Sequence, residues 1–226
     1  NERLYSAVGA DLPATWSDVY DAGRKISEQV EGSEGYAIRG KSGNPITSSY
    51  FSVGMSMAGN MFTENWDYDW ADQSGIDAAS FFVDDLKSIS PDGVASFDNS
   101  QVLTGLADGS VGAAPQWPSG ASLLLNEDEA TEYDNITFVP MPEGAERAAP
   151  VQGNWLLGIN KYTSSSKKDA AGDVLQSFVS QEAQQYYVDI GGVPFRHDTF
   201  KNNMDKQPWF EALYGSLQNA KPRPRT

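Results

Sequence analysis

Eight consecutive residues, Gly35-Tyr36-Ala37-Ile38-Arg39-Gly40-Lys41-Ser42, spell G-x-x-x-x-G-K-[ST], the pattern of a loop that cradles nucleoside triphosphates. Such a loop needs a buried strand before its first glycine and a helix that begins at the lysine, so that helix amides meet the phosphates. Here Glu31-Gly32-Ser33-Glu34 precedes the motif, Gly43-Asn44-Pro45 follows it, and Tyr36 to Arg39 itself reads as the strand. The expectation is no helix after Ser42 and no nucleotide site.

Asp67-Tyr68-Asp69-Trp70-Ala71-Asp72 alternates carboxylates as a cation loop does. A calcium loop of the EF-hand type would need an oxygen ligand where Ala71 stands, then a glycine, then a glutamate further on, and none is present. The stretch reads as a solvated acidic loop, and no metal site is expected. His197 is the single histidine, so a Ser-His-Asp relay would have to be assembled by tertiary folding. Trp117-Pro118-Ser119-Gly120 lacks the first glycine of a nucleophile elbow. No catalytic constellation stands out and no cofactor is implied.

Aromatic and amide side chains carry a clearer signal. Sugars present C–H faces that stack on indole and phenol rings, and hydroxyls that pair with Asn, Gln, Asp and Arg. Trp117 lies in a Pro-Ser-Gly loop after an apolar run, a poor place to bury an indole completely. Trp155 stands beside Asn154, between Gly153 and Gly158. Most tryptophans are core residues, and Trp16 is assigned to the core.

The composition narrows the function classes. A formal charge of −15 disfavours nucleic acid, whose backbone is held by a surplus of Lys and Arg. The absence of cysteine removes disulfides, thiolate metal sites and cysteine nucleophiles together. No apolar run is long enough to span a bilayer. The length of 226 residues suits one large domain or two small ones.

The elements that must position these residues alternate between helix and strand, which argues an α/β fold with helices covering a sheet. Thr15-Trp16-Ser17-Asp18 has capping-box form and opens a helix to about Val30. Gly35 to Arg39 reads as a strand and Ser48 to Met61 as a helix. Ser74-Gly75-Ile76-Asp77 is a second capping box, with Ile76, Ala79, Phe82, Val83, Leu86 and Ile89 at helical period. Further helices are expected over Ser100 to Leu106, Lys167 to Val179 and Gln181 to Ile190. Strands are expected over Val111 to Pro115, Ile136 to Val139 and Gly153 to Ile159. Lys221-Pro222-Arg223-Pro224-Arg225 reads as a basic, extended linker.

Four segments in order resemble those of family-one extracellular solute-binding proteins, the ligand receptors of ABC importers. They are Pro13-Ala14-Thr15-Trp16, then Gly105 to Ala114 with Trp117-Pro118, then Gly153-Asn154-Trp155, and last Ser180-Gln181-Glu182-Ala183-Gln184 with Gly191-Gly192-Val193-Pro194-Phe195-Arg196. The resemblance implies a type II periplasmic-binding-protein fold with one lobe nearly complete and part of the other. Residues 1–152 would be the second lobe, 153–222 a hinge crossing and a return to the first lobe, and 223–226 a linker. The helix from Lys167 would lie on the far side of the crossing from the Thr15 helix. The chain then reads as an internal segment, since the family carries another half-lobe ahead of the Pro-x-Thr-Trp helix.

By the same resemblance the ligand site is lined by Trp117, Trp155 and Asn154, with Asn44, Ser49 and Tyr50 from the helix start after the first strand. Arg196 would be turned towards the cleft by Gly-Gly-Val-Pro, where it holds a hydroxyl pair or makes a structural ion pair. The implied partners are a small carbohydrate and ABC permease subunits, with the protein a monomer, extracellular or periplasmic, and tethered through a segment ahead of Asn1. The alternatives are a secreted glycoside hydrolase, which would need two facing carboxyls, and a receptor for a peptide, polyamine or metal chelate.

Overall fold

In the computed structural model, which describes residues 1–223, a short helix α1 (Glu2–Ala7) leads to Thr15 and the expected capping box. The Thr15 hydroxyl accepts the Asp18 amide at 3.1 Å and the Asp18 carboxylate accepts the Thr15 amide at 2.8 Å. These bonds satisfy two amides that a helix start leaves without intrahelical partners. Helix α2 (Trp16–Gln29) follows, burying Trp16, Val19, Ala22, Gly23 and Ile26 along one face.

Strand β1 (Glu34–Tyr36) pairs in parallel with β2 (Val111–Ala113), with Glu34 opposite Val111 and Tyr36 opposite Ala113. Between them run α3 (Asn44–Met57), α4 (Gln73–Ser80) with a wider π turn over Phe81–Leu86, and α5 (Asn99–Asp108). A core of Trp16, Val19, Tyr36, Ile38, Val53, Phe82, Leu86, Ile89 and Val94 fills the space beside this pair. A second cluster of Ala37, Val102, Leu106, Val111 and Leu124 draws on α5 and on α6 (Ala121–Leu124).

The chain divides into two compact units, residues Asn1–Gln152 with Ala212–Thr226, and residues Gly153–Glu211. In the first, β3 (Val151–Gln152) pairs in parallel with β4 (Lys221–Pro222). The second contains α7 (Ser165–Phe178), α8 (Gln181–Asp189) and α9 (His197–Lys201), and α10 (Phe210–Asn219) runs across the boundary. Helices α2 and α7 thus belong to different units. No helix of the described residues is long and apolar enough to cross a membrane.

Four expectations differ from the structure. Helix α3 does follow Ser42: Gly43 is its N-cap and Pro45 sits in its first turn, where a proline's fixed φ and missing N–H suit a helix start. The helix from Gln73 is capped by Asp72 rather than Ser74, its carboxylate accepting the Gly75 amide at 3.1 Å. Residues 136–139 form no strand, and Ile136 instead packs its side chain on the core around Val102. Gly153 to Ile159 is not in a ladder either; pairing stops at Gln152, and no strand among the described residues lies alongside it. Residues from Ala212 group with the first unit, where the Lys221 amide donates to Pro150 O at 2.9 Å and the Met141 amide to the Ser216 hydroxyl at 3.1 Å. Of the basic tail, Pro224, Arg225 and Thr226 lie outside the described residues.

Candidate functional site

Trp117 follows β2 after a three-residue connection and caps a single 3-10 turn, Pro118–Gly120. Its carbonyl accepts the Gly120 amide at 2.9 Å, and its side chain is half-buried. The neighbour that matters comes from the end of the other strand. The guanidinium carbon of Arg39 lies 6.0 Å from the Trp117 ring centroid, within the range of a cation–π contact.

Arg39 is itself held. Its Nη2 donates to Asp98 at 2.8 Å, and its side chain is only 12% exposed. Asp98 is the N-cap of α5, accepting the Asn99 amide at 2.8 Å, and its own amide donates to Gln101 at 3.0 Å. Lys41 approaches the same carboxylate at 3.4 Å. The Arg39 hydrogen bond, followed by the Asn99 amide, holds the Asp98 carboxyl down at about 2, so it is ionised at any ordinary pH. Arg39 Nε and both amide atoms of Gln116, next to Trp117 in the chain, are buried without a hydrogen-bond partner. Buried polar atoms are nearly always paired, and exceptions gather at functional positions.

Of the residues expected after the first strand, Ser49 is buried, its hydroxyl donating to Pro45 O at 3.2 Å and Arg39 O at 3.5 Å. Asn44 is exposed in the first turn of α3, and its side-chain oxygen accepts the Ser48 hydroxyl at 3.2 Å. Tyr50 packs edge-on against Trp70 at 5.7 Å and Phe82 at 5.4 Å, and burial pushes its phenol pKa up. Its ring is thereby committed to packing. Trp16 is core, 6.0 Å edge-on from Tyr36.

In the second unit, Asn154 is exposed and Trp155 fully so, with Leu156 and Leu157 beside them. Arg196 makes the structural ion pair: Nε donates to Asp198 at 3.0 Å and Nη1 to Val179 O at 3.3 Å, at the start of α9. That pair holds the Asp198 carboxyl down at about 2.

Within the first unit both Trp117 and Ser49 neighbour Arg39, the first at its guanidinium and the second at its main-chain carbonyl. Sequence reasoning missed Arg39, Asp98 and Lys41 because it saw the first and third only as parts of a nucleotide motif. The available signal was positional: a charged residue at the carboxyl end of an apolar strand is where open α/β sheets hold ligands. The nucleotide motif is spent on packing. The Lys41 amide donates to Phe97 O at 3.0 Å, and a β-carbon on Gly40 would meet Val94 O at 2.4 Å. No group of three or more His, Cys, Asp or Glu is placed to hold a metal among the described residues.

Residues 1–185 match the family described as bacterial extracellular solute-binding protein. A curated relative from Sinorhizobium fredii, the probable amino-acid ABC transporter periplasmic-binding protein y4oP, is 30% identical over 205 residues, covering 89% of this chain and 46% of its own length. The maltose-bound MalE3 of T. maritima superposes with a TM-score of 0.86 at 26% identity, over 100% of this chain and 59% of its own. A ribitol-bound solute-binding protein from Agrobacterium radiobacter K84 superposes at 0.83, over 97% of this chain and 56% of its own, with 15% identity, a likeness of fold alone. This chain thus spans under half the length of the curated relative and under two thirds of the two solved structures.

Proposed function

Because the chain belongs to the bacterial extracellular solute-binding protein family, we propose that it is the ligand-binding part of an ABC-importer receptor for a sugar or oligosaccharide. The carrying observation is the half-buried indole of Trp117, flanked by Arg39 with Asp98 and Lys41 beyond it. An apolar ring face beside hydrogen-bonding groups matches a pyranose, which offers C–H faces and hydroxyls together. The maltose named for MalE3 points the same way.

On this reading residues 1–152 are the second lobe. Residues 153–222 are the hinge crossing and the return segment of the first lobe, although the stretch from Ala212 packs with the first unit. Ligand bound between the lobes favours their closed arrangement, and only that arrangement delivers to the permease. The protein works as a monomer outside the cytoplasmic membrane, tethered by a segment outside this chain. It binds and presents its solute, and no bond is made or broken.

One observation favours a second reading: the S. fredii relative carries an amino-acid transporter name. An amino acid brings a carboxylate and an ammonium that both require charged partners. Beside Trp117, however, the one carboxylate, Asp98, is already held by Arg39 and Lys41, so no acidic group there is free to take the ammonium, which suits a sugar better.

The test is a thermal-shift screen of the full-length receptor against mono- and oligosaccharides, sugar alcohols and amino acids. Ligand bound to the native state raises the melting temperature. Stabilisation by sugars that disappears in Trp117→Ala supports the proposal, and stabilisation by amino acids alone overturns it.

A further inference from the structure

We infer that Arg39 is the positioning residue of the ligand platform: it lies over one face of the Trp117 indole and leaves the opposite face as the one on which a sugar stacks. The inference rests on the reading of Trp117 as a ligand contact and adds which face is used and what fixes it.

The geometry runs through one rigid chain of contacts. Asp98 cannot swing, because it is bonded at once to the Asn99 amide at the head of α5, to Lys41 and to Arg39. Arg39 is restrained as well, with its guanidinium on Asp98 at 2.8 Å and its side chain only 12% exposed. The planar cation that results lies 6.0 Å from the Trp117 centroid.

An indole on a single 3-10 turn would otherwise sample several rotamers, and a ligand would have to freeze them at an entropic cost. A guanidinium can do this where an ammonium cannot. It is flat, it stacks on a ring face, and it can hold a carboxylate through one edge while doing so. Since the Arg39 guanidinium is bonded to Asp98, it is already engaged within the protein and orients the ring without needing a bond to the ligand, while the remaining positive charge resides on the exposed Lys41. That accounts for a cation beside a platform meant for a neutral solute.

The direct readout needs no ligand. Acrylamide quenching of Trp117 emission is obtained in the 226-residue chain as the difference between the parent and Trp117→Phe. Arg39→Ala is expected to raise the Trp117 quenching constant by up to about twofold, as access to the ring face under Arg39 opens and the indole gains rotamer freedom. Arg39→Lys, which keeps the charge and can still reach Asp98, should raise it by a similar factor and serves if the alanine variant does not fold. A constant unchanged in both variants overturns the inference.

Affinity separates this inference from the reading beneath it. For a sugar found to bind the full-length receptor, Arg39→Lys should weaken binding roughly tenfold, the scale of a lost preorganised contact. If Trp117→Ala abolishes binding and Arg39→Lys leaves it intact, the ligand reading stands and the positioning role falls. If Trp117→Ala leaves binding intact, the ligand reading falls and the platform falls with it.

Discussion

Gly23 in α2 and Gly35 in β1 meet backbone to backbone: a β-carbon on Gly35 would lie 2.1 Å from the α-carbon of Gly23. This contact seats α2 on the strand whose far end carries Arg39, so it bears on the site as well as the fold. Gly35→Ala cannot be relieved by moving a side chain, since the three nearest atoms are all main chain of Gly23, and it should cost about 3 kcal/mol or more. Gly23→Ala meets chiefly the tip of Ile89, at 2.6 Å, and should cost about 1–2 kcal/mol as that side chain shifts. Urea denaturation of both variants checks the order, and equal losses would mean that the two backbones are not in contact.

The tryptophans separate in the same way. Trp16 is 3% exposed and packs on Tyr36, so Trp16→Ala should destabilise by about 3–5 kcal/mol. Trp117 is half-buried on a surface turn, and Trp117→Ala should cost no more than about 1–2 kcal/mol of stability. If the proposed function is right, it removes about 1–3 kcal/mol of sugar affinity in the full-length receptor. Calorimetry and thermal melts on the two variants, side by side, distinguish a core indole from a platform.

What could be read from the sequence follows from where each signal resides. Thr15 to Asp18 was legible because a capping box is local, and it placed the start of α2, while the helical period of Ile76 to Ile89 placed α4 and the turn that continues it. The strands were less legible, since pairing depends on partners remote in the chain. Ile136 looks like a strand residue but serves the core through its side chain, and the apolar run after Gly153 has no neighbour to pair with among the described residues. No helix is expected after Ser42, yet Pro45 stands in the first turn of one, because a proline that ends a helix and one that starts it look alike in sequence. The site was half legible: Trp117 announced itself by its loop, whereas Arg39 and Asp98 stand 59 positions apart and only folding joins them.

The eight-residue nucleotide motif should not bind ATP, for a reason that differs from the one the sequence suggested. A helix does follow it, but the Lys41 amide is bonded to Phe97, its ammonium approaches Asp98, and Gly40 lies against the Val94 carbonyl. Equilibrium titration with ATP should give no saturable signal. Saturable binding lost in Lys41→Ala would establish a nucleotide site.

The Asp98 carboxyl sits at about 2 in the folded protein against 3.8 for an unperturbed aspartate, chiefly through Arg39. A depressed folded value means that the native state holds the ionised form. The stabilisation is therefore complete above pH 3.8 and is lost as pH falls towards about 2. The melting-temperature gap between the parent and Asp98→Asn should be constant above that window and close within it. A gap that widens on acidification would show that Asp98 is not held by Arg39.

Trp155 is 102% exposed, and Leu156 and Leu157 follow at 86% and 72%, an arrangement that leaves apolar surface in water with nothing gained. Helix α7 adds to it, burying no residue of its own. If residues 153–222 return to a first lobe, the remainder of that lobe supplies the covering surface. In the 226-residue chain the amides of Gly153 to Ile159 should then exchange rapidly, and Trp155→Ala should change stability by less than about 0.5 kcal/mol, as surface substitutions do. In the full-length receptor the same amides should be protected as ladder donors and Trp155 emission should shift to the blue. Rapid exchange of these amides in both proteins would defeat the lobe assignment, whereas protection that deepens with sugar would place Trp155 at the ligand.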